Sequence, residues 1–85
     1  MAEIILYVDT NLQGPSTTFT HSSSHIGELF QDKVTSAKVI SGKWQLFEHA
    51  DFKGRSIILF PGEYRNLDIH PGGIPNDSIT SIKVV

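Results

Sequence analysis

Eighty-five residues with seven basic and nine acidic side chains, a formal net charge of −2, leave room for one hydrophobic core, and 39% hydrophobic with 19% charged residues indicates a folded chain rather than a disordered one. The absence of cysteine removes disulfides, thiolate metal sites and cysteine nucleophiles. The scattered cations make no stripe that would neutralise phosphates, so no nucleic-acid partner is expected, and no apolar run reaches the roughly 20 residues that span a bilayer.

In chain order, the stretches rich in β-branched and aromatic residues are Ile4 to Val8, Val34 to Ile40, Trp44 to Glu48, Ser56 to Phe60 and Ile79 to Val85. Glycine, proline or asparagine separates most of them. A helical period is hinted at only around Ile26 to Phe30. Short strands punctuated by turns at this spacing predict an all-β sandwich or barrel.

The chain also repeats itself, which fixes architecture more firmly than local propensity does. Tyr7 through Gly14 aligns with Phe47 through Gly54 forty residues later, each an aromatic, six residues and a glycine, and Ser16 then matches Ser56. Gln31 through Val39 aligns with Asn76 through Val84 at an offset of forty-five. Two repeats of about four strands each predict two Greek keys packed face to face, motif one over about 1–41 and motif two over about 42–85, as a single domain. The aromatic and glycine suit a folded-over hairpin in which the ring covers a sharply bent backbone, with Ser16 and Ser56 expected to bond its open groups.

Catalytic constellations are not apparent, and no enzyme is expected. Ser22-Ser23-Ser24 reads as a polar loop without a nucleophile elbow, and Glu28, Glu48 and Glu63 form no evident catalytic pair. Gly72-Gly73, between Pro71 and Ile74, reads as a turn rather than a phosphate loop. His21, His25, His49 and His70 lack the helix and spacing of a zinc site and read as exposed loop residues. Trp44, inside an alternating strand, is expected in the core rather than as a ligand platform.

Tyr7 through Ser16 and Phe47 through Ser56 resemble the Greek-key signature of the βγ-crystallin superfamily, and Ser41-Gly42-Lys43-Trp44 to Pro61-Gly62-Glu63-Tyr64 is similar to its second motif, with Tyr64 at the tyrosine corner. The resemblance covers the chain and points to a microbial-type single-domain member. Calcium-binding members carry in each motif two Asn or Asp residues, two variable residues, Ser or Thr, and Ser. Asn76-Asp77-Ser78-Ile79-Thr80-Ser81 matches throughout, and Gln31-Asp32-Lys33-Val34-Thr35-Ser36 matches except at Gln31.

The resemblance implies two Ca2+ ions in a double clamp, each ion served by both loops. Asp32 and Asp77 would supply carboxylates, Thr35 and Thr80 hydroxyls, and Lys33, Ser78, Val8 and Glu48 backbone carbonyls. Calcium takes six to eight oxygens, so with about one carboxylate per site, affinity near the micromolar range is expected. Gln31 and Lys33 predict that the site leaning on the first loop is the weaker. Calcium is expected to stabilise the domain. The alternative is a structural or stress and interaction domain with degenerate calcium sites. A monomer is expected, with no protein partner evident. Met1-Ala2-Glu3-Ile4-Ile5 lacks a signal-peptide pattern. A soluble, cytoplasmic protein is therefore expected if the chain is complete, and an extracellular one remains open if it is excised from a longer protein.

Overall fold

The computed structural model describes residues 2–27, 34–67 and 79–85. Within them the strands are β1 (Glu3–Asp9), β2 (Gln13–Phe19), β3 (Ser36–Ser41), β4 (Trp44–His49), β5 (Lys53–Leu59), β6 (Gly62–Tyr64) and β7 (Ser81–Val84). Their pairings are antiparallel and build one sheet in the order β2-β1-β3-β6 and a second in the order β5-β4-β7.

Alternation along the strands selects what each sheet turns inward. Ile4 and Leu6 of β1 stand opposite Val39 and Ala37 of β3. In the second sheet, Trp44 and Leu46 of β4 stand opposite Leu59 and Ile57 of β5, and opposite Val84 and Ile82 of β7. Most of these side chains merge with Ile26, Val34, Leu67 and Ile79 in one buried cluster, so the core lies between the two sheets. Each fully buried aliphatic or aromatic side chain there contributes about 1.5–3 kcal/mol. Trp44 is completely buried and its indole N–H donates to the Ser41 carbonyl at 3.2 Å, which makes it the core residue its strand position predicts.

The third strands are exchanged between the motifs. β6 belongs to motif two by sequence yet pairs with β3 of motif one, with Tyr64 opposite Ala37 and Gly62 opposite Val39. In return, Ser23 of motif one bridges Ile82 of β7, each amide donating to the other's carbonyl at 2.9 and 3.0 Å. The Tyr64 hydroxyl donates to the Phe60 carbonyl at 2.8 Å and accepts from the Phe60 amide at 3.0 Å, closing the corner that carries the chain across.

Several element boundaries differ from the sequence expectation. β2 was not anticipated, because Gln13 to Phe19 is largely exposed and lacks an apolar alternation. Pairing with β1 makes it a strand, and its edge position tolerates Pro15. β5 begins at Lys53 rather than Ser56. β3 and β7 start at Ser36 and Ser81, two residues later than expected, because the amides of Thr35 and Thr80 donate instead to the carbonyls of Tyr7 and Phe47 at 2.9 Å each. Ile26 and Gly27 are not helical, and residues 28–30 of the suggested helix lie outside the described residues.

The two folded hairpins bend differently from the glycine-led picture. Asn11 and Leu12 have φ of 59° and 58°, Asp51 and Phe52 have 58° and 59°, and Gly14 and Gly54 follow at 79° and 82°. Each hairpin thus places two consecutive side-chain-bearing residues in the left-handed region, at a cost of roughly 1–2 kcal/mol per residue. The hydroxyls holding them there are not those of Ser16 and Ser56. Ser36 donates to the Asp9 carbonyl and accepts from the Leu12 amide at 3.1 Å, and Ser81 donates to the His49 carbonyl at 2.6 Å and accepts from the Phe52 amide at 3.1 Å. Both serines are fully buried and come from the strand behind the hairpin. Ser16 is exposed, whereas Ser56 accepts from the Gln45 side-chain amide at 2.8 Å. The fold also brings Phe52 edge-on to Phe47, with ring centroids 5.7 Å apart, so Phe47 is only 8% exposed although it points away from the core.

Ser81→Ala removes both bonds of one brace and leaves a part-buried amide and carbonyl without their partner, so it is expected to lower stability by about 1–3 kcal/mol. Ser16→Ala is expected to cost under about 0.5 kcal/mol; denaturant unfolding of the two variants checks the contrast. A Cβ added at Gly54 would lie 2.5 Å from His49 Cδ2 and 3.2 Å from Glu48 Cβ at a positive φ. Gly54→Ala should therefore depress Tm by several degrees, while a substitution to alanine at exposed Arg55 should barely move it in the same thermal scan.

Candidate functional site

The bent hairpins place the two backbone positions proposed as ligands out of register with their neighbours. The β1–β2 ladder shifts between Tyr7 and Asp9, and the β1–β3 ladder ends at Tyr7, so Val8 has no partner in either register. The β4–β5 ladder shifts between Phe47 and His49, and the β4–β7 ladder ends at Phe47, which leaves Glu48 in the same position. Bulged residues of this kind are turned out of the ladder. The sequence signal for them is the aromatic that immediately precedes each.

A threonine is anchored beside each bulge. The Thr35 amide donates to the Tyr7 carbonyl and the Thr80 amide to the Phe47 carbonyl, both at 2.9 Å, so each threonine is tied to the residue just before Val8 or Glu48. Both are buried, Thr35 at 7% and Thr80 at 5% exposure. The serine after each threonine braces the hairpin from which the bulge comes. A single Thr-Ser pair in each motif therefore combines a buried hydroxyl near the bulge with the contact that sets the bulge's shape. Asp32, Lys33, Asp77 and Ser78, together with Gln31, lie outside the described residues.

Each threonine also receives a bond from the opposite motif. The Leu67 amide donates to the Thr35 carbonyl at 2.8 Å, and the Ile26 amide to the Thr80 carbonyl at 2.9 Å. The hairpin tips are held by the same segments, Asn11 donating to the Arg65 carbonyl at 2.8 Å and Asp51 to the Ser24 carbonyl at 3.0 Å. Segments 24–26 and 65–67 are thus equivalent pieces of the repeat, although Ser24-His25-Ile26 and Arg65-Asn66-Leu67 share no side chain that would have marked them in the sequence.

The side-chain environments of the two bulges differ. The Glu48 carboxylate lies 3.4 Å from Arg55 Nη2 and 3.4 Å from His49 Nε2, so its charge is directed to the hairpin surface. Val8 brings no charge. With Arg55 and His49 exposed and Glu48 only partly so, such pairing contributes about 0.2–1 kcal/mol. His21 and His25 are exposed, with His25 Nδ1 accepting from the Gly27 amide at 3.1 Å. His49 is exposed as well but terminates β4 rather than lying in a loop, a difference that follows from the strand running one residue beyond Glu48. His70 lies outside the described residues. Among the described residues no group of three His, Asp or Glu side chains converges, and no helix is long and apolar enough to cross a membrane.

Each bulge therefore has a buried, hydroxyl-bearing residue bonded next to it, Thr35 beside Val8 and Thr80 beside Glu48, and the groups these residues offer are oxygens. That donor set suits a hard cation such as calcium and not a soft one.

Comparison with known proteins bears on the family. The Beta/Gamma crystallin family model matches residues 3–85. Bovine Beta-crystallin A4 is 35% identical over 85 residues, spanning 98% of this chain, while this chain spans only 40% of that relative's length. A βγ-crystallin from an archaeon superposes with a TM-score of 0.90 at 37% identity, covering 99% of this chain and 98% of the other. A βγ-crystallin domain of the Abundant Perithecial Protein from Neurospora crassa, solved in its Ca2+-bound form, shares the fold at 20% identity and a TM-score of 0.75, covering 99% of this chain and 88% of that one. The exchanged third strands, the two braced hairpins and the family match over residues 3–85 lead to one conclusion: the chain belongs to the βγ-crystallin family.

Proposed function

We propose that this chain is a calcium-binding βγ-crystallin module, with residues 1–85 forming one unit of two motifs and holding two ions of unequal affinity in a binding rather than catalytic role. The observation that carries the reading is the repeated pairing of a buried threonine with an out-of-register residue, Thr35 beside Val8 and Thr80 beside Glu48. It supports ligation by the carbonyls of Val8 and Glu48 and the hydroxyls of Thr35 and Thr80. Asp32 and Asp77 would add carboxylates, and Lys33 and Ser78 further carbonyls. The Ca2+-bound Neurospora domain shows that a protein of this fold can take the ion.

The chain's own groups divide the work. Val8 and Glu48 contribute through the backbone, so their side chains are replaceable. Thr35 and Thr80 contribute through hydroxyls carried on a backbone that is fixed by its own amide and carbonyl bonds. Ser36 and Ser81 act indirectly, by holding the hairpin that presents each bulge. Gln31, standing where the other motif has Asn76, together with the ammonium of Lys33, makes the motif-one loop the poorer donor set. When bound, calcium supplies a crosslink between oxygens of separate segments, which favours the folded state.

At one hundred times its dissociation constant, a ligand adds about 2.7 kcal/mol to stability, equivalent to a rise of roughly 10–20 °C in Tm for a domain of this size. Thermal melts in calcium and in chelator are expected to differ by that order, and superimposable curves would remove the reading. Thr80→Arg places a cation where a hydroxyl is needed and should weaken binding at least tenfold in a calorimetric titration. Glu48→Gln should leave affinity within about threefold, because the ligand there is the carbonyl. A large loss would mean that the side chain, not the backbone, serves the ion.

A further inference from the structure

The crossed backbone bonds connect the two proposed sites through segments that contain no proposed ligand. Residues 65–67 of motif two meet motif one at both ends: the Arg65 carbonyl accepts from Asn11 at the hairpin tip, three residues beyond Val8, and the Leu67 amide donates to the Thr35 carbonyl. Residues 24–26 of motif one do the same to motif two: the Ser24 carbonyl accepts from Asp51, three residues beyond Glu48, and the Ile26 amide donates to the Thr80 carbonyl. Leu67 and Ile26 are themselves fixed, both side chains being part of the common core. In sequence, the chain then runs from Leu67 toward Asp77 and from Ile26 toward Asp32. The segment entering each acidic stretch is therefore fastened to the other motif's threonine.

We propose that the two calcium sites are reciprocally coupled through segments 24–26 and 65–67, so that filling either one raises the affinity of the other. The inference rests on the calcium reading above. Fixing the Thr35 hydroxyl and the Val8 carbonyl also restricts the Thr35 carbonyl and the Asn11 amide, the two groups that hold 65–67. That restriction is part of what the second site requires, and an ordering cost already met for one ligand need not be met again for the next. The same relation runs backwards through 24–26, and thermodynamic linkage requires the two directions to be equal.

The test uses the full chain titrated with calcium chloride by calorimetry, with amide exchange at Leu67 and Ile26 followed by NMR. Thr35→Val and Thr80→Val each remove one hydroxyl while retaining the amide and carbonyl that make the backbone bonds. Each is expected to weaken the surviving site about three- to tenfold relative to the unaltered chain, by the same factor in both variants. Replacing Leu67 by leucic acid converts its amide to an ester, deleting the N–H that reaches Thr35 without changing any proposed ligand. This variant is expected to bind both ions with most of the coupling factor lost. The equivalent ester at Val84, which deletes the 2.8 Å bond to the Ser22 hydroxyl and touches neither crossing segment, is the control and should retain it. In the unaltered chain, the first equivalent of calcium is expected to slow exchange at both Leu67 and Ile26. Two ions that bind independently, with each valine variant leaving the other site within twofold and the two esters behaving alike, would overturn the coupling while leaving the calcium reading intact. No calcium binding by the unaltered chain would overturn both.

Discussion

Two serine hydroxyls hold together the features on which the rest of the molecule depends. Asn11-Leu12 and Asp51-Phe52 adopt a backbone conformation that costs free energy wherever a Cβ is present. Ser36 and Ser81 offset that cost by joining the two ends of each bend, donating to the carbonyl before it and accepting from the amide within it. Because these serines also begin β3 and β7, the bend is locked to the sheet behind it. From this follow the displacement of Val8 and Glu48 from their ladders, the placement of Phe52 against Phe47, and the position of Thr35 and Thr80 one residue before the brace. A strained turn of this sort persists only where its surroundings over-determine it; here a buried hydroxyl with both bonding capacities used is that surrounding.

The exchange of third strands gives the fold its second constraint. β6 completes the sheet of motif one and Ser23 extends the sheet of motif two, so neither half satisfies its own backbone. The exchange is reinforced on the loop side by the amides of Asn11, Ile26, Asp51 and Leu67, each bonded to a carbonyl of the opposite motif. A core built from both sheets at once and a backbone network that crosses between halves tie each motif to the other.

Much of this was legible in the sequence, and what was missed has physical reasons. The repeat of Tyr7 to Gly14 in Phe47 to Gly54 points to the paired hairpins, and the alternating strand around Trp44 points to its place in the core, because burial writes a period of two into the residues. β2 was not visible, since an exposed edge strand is formed by its partner rather than by its own composition. Closeness in sequence to the bend points to Ser16 and Ser56 as its brace, whereas the hydroxyls that reach it come from residues well separated along the chain, a pairing only the folded sheet creates. Yet Thr35-Ser36 and Thr80-Ser81 recur in register with the repeat, and that recurrence was the available signal. Segments 24–26 and 65–67 hold the opposite motif through peptide groups, anchored by the buried aliphatic side chains of Ile26 and Leu67, and a lone aliphatic residue in a polar stretch is too common a pattern to announce them. For the candidate site, Thr35 is bonded to the residue before Val8 and Thr80 to the residue before Glu48, while Asp32, Lys33, Asp77 and Ser78 lie outside the described residues.

The exchanged strands also bear on how the chain reaches this structure. As synthesis proceeds from the N-terminus, β1, β2 and β3 can associate once Ser41 is available, but β3 then presents an unpaired edge until Gly62 to Tyr64 follows. An open edge is a template for pairing with other chains. Its natural partner arrives only with the middle of motif two, and the amide of Leu67, which closes over Thr35, arrives later still. Topologies dominated by such distant pairings fold slowly, on a scale of about milliseconds to seconds. The nascent first half thus has to remain soluble with an exposed β3 margin, and the polar side chains of Lys38 and Ser41 along that strand fit this demand.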